Sequence, residues 1–233
     1  MIDRYSLTAS AHMVAERFSV EMPEFYKPRY NAAPSQLLPV ITNSGRQGLS
    51  WFYWGRPPQF ARNKNLGEKI INLPIETLRE KPILKKALIQ HRCIIPSDGF
   101  YGWKKIGKKT LIAHRFTVAD QEVFSFAGLW EEFEDEGGTV QHTFTLITTS
   151  ANELVSSATD RMPIILDQEQ EEIWLTGKAP EAELLNTLIS YPASKMSVYT
   201  VSPGISNTQN DYPSIILPAP PADQHGNLTL FDQ

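Results

Sequence analysis

What most restricts the fold of this chain is a succession of short runs rich in Val, Ile, Thr, Phe and Tyr, with no regular helix between them. Residues 36–42, 49–54, 110–118, 123–132, 141–149 and 196–201 read as strands. Parallel strands need long, usually helical crossovers. Their irregular supply here excludes a doubly wound parallel sheet and predicts an α+β domain built mainly on antiparallel strands. Ile106-Gly107 and Glu136-Gly137-Gly138 supply hairpin turns. Helices are fewer. Residues 82–90 start with Pro82 and carry Ile83, Leu84, Ala87 and Leu88 along one stripe. Asp167 with Gln170 forms a capping box for a helix over 168–176, with Gly177 as its stop. Residues 180–190 repeat the pattern, and 10–18 form a short N-terminal helix. We expect one domain over 1–217 and a loosely held, Pro-rich C-terminal extension over 218–233.

The 233 residues include a single cysteine, Cys93, which excludes a disulfide framework and a cysteine-rich zinc module. It sits in the apolar run Cys93-Ile94-Ile95-Pro96, where a buried structural thiol is the expectation. His12, His91, His114, His142 and His225 show no metal-ligand spacing, so no metal is expected. No Gly-rich phosphate loop, dinucleotide fingerprint or Gly-x-Ser-x-Gly elbow occurs, and no cofactor is expected. No stretch approaches the roughly 18 apolar residues of a membrane span. The opening Met1-Ile2-Asp3-Arg4-Tyr5 does not read as a signal peptide, which predicts a cytoplasmic protein with no membrane partner.

Charge is unevenly spread. The chain carries −4 overall, yet residues 56–115 hold 14 Lys and Arg against 4 acids, or +10, leaving −14 for the rest. Such asymmetry points to a polyanion-binding face, the alternative being lysines scattered over a solvated surface. Trp51, Phe52, Tyr53 and Trp54 precede this segment, and Phe60, Phe100, Tyr101 and Trp103 lie within it. Bases with stacking rings are what a single-stranded nucleic-acid groove uses, although rings in strands are more often core.

Ordered local strings carry more information. They run Arg4-Tyr5-Ser6, Arg29-Tyr30-Asn31-Ala32-Ala33-Pro34, Trp54-Gly55, and Ile71-Asn72 with Glu76-Thr77. The series continues with Arg92-Cys93-Ile94-Ile95-Pro96-Ser97-Asp98-Gly99-Phe100-Tyr101, Trp103-Lys104-Lys105, Phe126-Ala127-Gly128-Leu129-Trp130-Glu131 and Thr145-Leu146-Ile147-Thr148-Thr149. It closes with Ala151-Asn152-Glu153-Leu154, Asp160-Arg161-Met162-Pro163, Val201-Ser202-Pro203, Asn207 and Asn210-Asp211. Together, over roughly residues 1–216, they resemble the SOS-response-associated peptidase family of abasic-site processing proteins. The resemblance implies a distorted, open antiparallel barrel with flanking helices and a cationic cleft for single-stranded or junction DNA. It also implies an N-terminal cysteine at position 2, exposed by removal of the initiator Met. The cysteine's amine attacks the aldehyde of an abasic site and its thiol closes a thiazolidine crosslink. A glutamate and a histidine move protons, and an asparagine orients the reacting group.

This chain departs from that pattern where the chemistry sits. Ile2 replaces the cysteine, Gly102 the glutamate and Thr159 the histidine; Asn72 alone matches. Asp3 stands where the family commonly has glycine, and Pro74 where it has a DNA-contacting arginine. Isoleucine is no nucleophile, glycine has no side chain, and threonine cannot shuttle protons near neutral pH. The expectation is a pseudoenzyme that has lost thiazolidine crosslinking. Broad proteolysis has no supporting constellation either. By the resemblance, Arg4, Asn72, Trp103 and Arg161 line or support the DNA cleft. The competing roles are an ion pair with Asp160 or another acid for Arg161, a core position for Trp103 and a turn cap for Asn72. Three functions compete: non-covalent DNA binding, a residual Schiff-base lyase working through the Met1 α-amine, and a protein-interaction module that no longer binds DNA.

Overall fold

The computed structural model describes residues 1–55, 71–134 and 138–229. The chain begins with β1 (Tyr5–Leu7), α1 (Ala11–Phe18), β2 (Arg29–Ala32), β3 (Leu37–Thr42), β4 (Gly45–Trp54) and β5 (Asn72–Pro74). Next come α2 (Ile75–Glu80), α3 (Lys85–Gln90), β6 (Arg92–Ser97), β7 (Gly99–Ile106), β8 (Thr110–Val118), β9 (Phe124–Glu134) and β10 (Val140–Ser150). The remainder is β11 (Arg161–Pro163), β12 (Ile165–Leu166), α4 (Gln168–Leu175), α5 (Glu181–Thr187) and β13 (Met196–Thr200). The α+β class and the antiparallel bias stand as expected.

Two sheets carry the fold. One has the order β13-β8-β7-β1-β2. In the other, β4, β3, β6, β9 and β10 pair in sequence, and β10 pairs back onto β4, so the ring closes. The barrel is therefore closed where an open one was expected. The closing contact is parallel, through Thr143 opposite Tyr53 and Phe144 opposite Trp54. β5 also lies parallel on β10, with Asn72 opposite Leu146.

The main core joins the sheets: Tyr5, Phe100 and Phe116 meet Trp54, Phe126 and Phe144. A second cluster unites Ile94, Ala127 and Ile147 of the ring with Leu78, Leu88, Trp174 and Leu184 of the helices. β6 contributes to both clusters, Cys93 and Ile95 to one and Ile94 to the other. A strand buried on both faces reads as a continuous apolar run, which is what Cys93-Ile94-Ile95 is. Cys93 is the buried structural thiol expected, and burial pushes its pKa up.

Two buried polar networks give structural roles to strings that carry the family resemblance. Asn31 donates to the carbonyls of Ile205 and Asn210. Asp211 accepts from the Tyr30 and Asn31 backbone and pairs with Arg29 at 2.9 Å. The Arg29-Tyr30-Asn31 block and the Asn207–Asp211 stretch are thus two halves of one clasp. Arg92 is buried and donates to the carbonyls of Leu88, Trp174 and Thr176 at 2.6–2.7 Å, tying the ends of α3 and α4 together.

Residues 218–229 correct the expectation of a loose tail. Pro218 bridges to Val201, and Ala219 donates to the Thr200 carbonyl at 3.0 Å. The Gln224 amide accepts from Leu111 N–H and donates to the Lys109 carbonyl, both at 2.9 Å. Those backbone groups sit next to the tight β7–β8 turn, where Gly107 adopts φ 60°.

Candidate nucleic-acid interface

The site begins with how β1 is held. Asp98, buried between β6 and β7, accepts from Ser6 Oγ at 2.6 Å, from Thr8 Oγ1 at 2.7 Å and from the Thr8 N–H. Arg115 Nη2 donates to the same carboxylate at 2.7 Å, and its Nη1 donates to the Tyr199 hydroxyl at 2.7 Å. A side chain at Gly99 would put its Cβ 2.7–2.9 Å from the Arg115 guanidinium, so only glycine leaves room for this pair. β1 is thereby fixed between β2 and β7, and the residues before it are delivered to one place.

There the substituted family positions converge. Ile2 is 0% exposed and packs into the main core, while its carbonyl accepts from Asn72 Nδ2 at 2.6 Å. Met1, 76% exposed, lies in a cleft of 490 Å³ lined also by Gly102, Trp103, Lys105, Thr159 and Asp160. Its amine donates to Thr159 Oγ1 at 3.5 Å. Thr159 follows a turn at Val155–Ser157 that Asn152 caps, accepting from Val155 N–H at 3.0 Å. Gly102 and Thr159, far apart in sequence, thus line the cleft with Met1, while Asn72 reaches this region through its bond to the Ile2 carbonyl. A Cβ at Gly102 would lie 3.1 Å from the Phe116 ring and 3.3 Å from both Ala158 and Thr159 side chains. A larger residue at 102 would need these side chains to give by a few tenths of an ångström, and the Ile2 side chain points into the core.

The other sequence-predicted residues sort differently. Trp103 is half-buried, packs against the Tyr101, Val201 and Ile205 cluster, and donates Nε1 to Ser206 Oγ at 3.4 Å. It is both cleft wall and core edge. Arg4 is 13% exposed, donates Nη1 to the Asp3 carbonyl at 2.6 Å and lies 3.5 Å from the Asp3 carboxylate. Burial holds that carboxyl above its ordinary pKa. Arg161, 25% exposed, forks onto Glu76 at 2.9 and 3.1 Å and donates to the Thr148 carbonyl. The hydrogen bond from Arg161 holds the Glu76 carboxyl below the usual range. Of the acids left open opposite Arg161, the partner is Glu76. Neither arginine is among the residues lining the cleft.

The basic segment is less of a surface than its arithmetic implied. Arg56, Phe60, Arg62, Lys64 and Lys69 lie outside the described residues. Arg92 and Arg115 are buried in the networks above, and Lys85 pairs with Glu181. Lys105, Lys108 and Lys109 are exposed on and around the β7–β8 hairpin, beside Trp103. Among the described residues, no group of three or more His, Cys, Asp or Glu side chains is placed to hold a metal ion, and no helix is long and apolar enough to cross a membrane. Asp98, Arg115 and Glu76 escaped the sequence-based site list. The available signals were Glu76-Thr77 and Asp98-Gly99 inside the family strings.

The comparisons agree with this architecture. A model of the SOS response associated peptidase (SRAP) family matches residues 1–208. The abasic site processing protein YoqW of Bacillus subtilis (strain 168) is 38% identical over 221 residues, 93% of this chain and 99% of its own. The abasic site processing protein HMCES of Gallus gallus is 27% identical over 226 residues, 83% of this chain and 67% of its own. A crystal structure of a protein from Bacteroides thetaiotaomicron superposes with a TM-score of 0.82 at 28% identity, covering 93% of this chain and 99% of that one. The chain belongs to the SOS response associated peptidase family.

Proposed function

We propose that this protein grips single-stranded or junction DNA at abasic sites without becoming covalently attached through a thiazolidine. One observation supports the reading: Gly102 and Thr159 line the cleft that holds Met1, Ile2 and Asn72 lie behind it, and none of the four supplies a nucleophile or a proton shuttle. The Ile2 side chain is in the core, Asn72 is committed to the Ile2 carbonyl, Gly102 is bare, and Thr159 offers only a hydroxyl. Trp103 and Lys105 on the cleft wall offer a stacking face and a cation. DNA affinity measured by fluorescence anisotropy on a single-stranded oligonucleotide should fall about tenfold between 50 and 200 mM salt, as a few phosphate contacts require. Absent or salt-independent binding would exclude the reading and favour the protein-interaction module.

A second reading rests on the position of the Met1 amine inside the cleft, 3.5 Å from the Thr159 hydroxyl. An α-amine in its unprotonated form is a nucleophile. It can condense with an abasic aldehyde, lose water to form a Schiff base, and permit β-elimination without a thiol. Borohydride trapping on abasic DNA separates the two readings: a trapped adduct supports the lyase, and none removes it.

A further inference from the structure

Four arginines of this protein divide into two pairs. Arg92 and Arg115 are fully engaged, and each also uses its Nε, Arg92 on the Trp174 carbonyl at 2.6 Å and Arg115 on Ser6 Oγ at 3.3 Å. Arg4 and Arg161 differ. Arg4 donates Nη1 to the Asp3 backbone carbonyl with the Asp3 carboxylate 3.5 Å away, and Arg161 places both Nη atoms on the Glu76 carboxylate, yet each Nε is buried and has no hydrogen-bond partner among the described residues. Asp3 Oδ1 and Asn72 Oδ1 share that condition at the same end of the molecule. Buried polar atoms normally find partners, and clusters of exceptions call for an explanation. A guanidinium with free N–H groups is a fork suited to a phosphate.

We propose that Asp3 and Glu76 act as internal stand-ins for DNA phosphates, holding Arg4 and Arg161 until a phosphodiester displaces them, and so set the affinity of the site. The inference rests on the DNA-binding reading above. The Asp3 carboxylate lies 3.5 Å from Arg4, a position from which it offsets that arginine's charge. Glu76 is 52% exposed, so its pair with Arg161 is open to solvent and weak enough to be exchanged. Each exchange substitutes one anion for another at an arginine that lies outside the cleft lining and is already oriented by its acidic neighbour. Each also leaves a carboxylate near the incoming phosphate, which limits affinity.

The test uses the full chain, a labelled single-stranded oligonucleotide and anisotropy titrations across 50–200 mM salt. The variants are Glu76→Gln alone, Asp3→Asn with Glu76→Gln, and that pair with Arg161→Gln. Glu76→Gln should tighten binding about threefold and the double variant about tenfold. In the double variant log affinity should fall more steeply with log salt, by about one unit, as two freed arginines engage phosphates. Adding Arg161→Gln should reverse much of the gain. If the native chain binds and the double variant binds no tighter, the two ion pairs are structural and the inference is wrong while DNA binding stands. If neither binds, both fall together. If only the double variant binds, the carboxylates hold the site closed and the inference is upheld.

Discussion

Arg92→Met should lower stability by about 3–5 kcal/mol and the melting temperature by about 10 °C, with the fold retained at low temperature. The reason lies at the helix ends. The last carbonyls of a helix have no partner within it and carry partial negative charge. The short α3 and the C-terminal end of α4 direct such carbonyls at one point, and the Arg92 guanidinium occupies it, donating to the carbonyls of Leu88, Trp174 and Thr176. Methionine fills much of the volume but donates nothing. Each carbonyl left buried and unpaired costs about 1–3 kcal/mol. Water reaching the less buried ones keeps the total below the simple sum. Urea denaturation and calorimetry measure the change; a loss under 1 kcal/mol would show that the carbonyls find other partners.

Asp98→Ala should be of similar size, about 3–5 kcal/mol, because it leaves the Arg115 charge buried without its carboxylate. It differs from Arg92→Met in reach. Asp98 also holds Ser6 and Thr8, so its loss frees β1 and the tip at Met1 and Ile2. DNA affinity should fall at temperatures where the variant is still folded, whereas Arg92→Met should leave affinity near the native value. Arg115→Met on the Asp98→Ala background should add far less than it does alone, since the two residues form one unit. Additive losses would mean that the pair is not coupled.

Much of the fold was legible because its signals are local. The predicted strand over 110–118 coincides with β8, and the Asp167–Gln170 capping box is present in full. β6 was missed as a strand because burial on both faces erases alternation. β1 and β5, three residues each, are too short for any periodicity and exist through their pairing partners. Gly177 was not the stop of α4. The helix ends because Thr176 turns extended, and Arg92 takes its carbonyl. The tail was misjudged because proline content reports stiffness, not docking, and Gln224 supplies the anchor.

The site was legible only through family strings. No spacing rule brings residues 2, 72, 102 and 159 together; the sheet pairings do. The pair Arg161–Glu76 spans 85 positions and Arg115–Asp98 spans 17, beyond any local pattern. Charge counting misled because it treats a buried Arg92 and a solvated Lys108 alike.

The central claim is that the cleft retains its architecture and lacks the crosslinking chemistry. A denaturing gel of the native chain incubated with abasic single-stranded DNA, without reductant and heated before loading, tests it most directly. The account predicts no heat-stable protein–DNA band, alongside salt-sensitive binding of the same oligonucleotide before denaturation. A heat-stable band would contradict it.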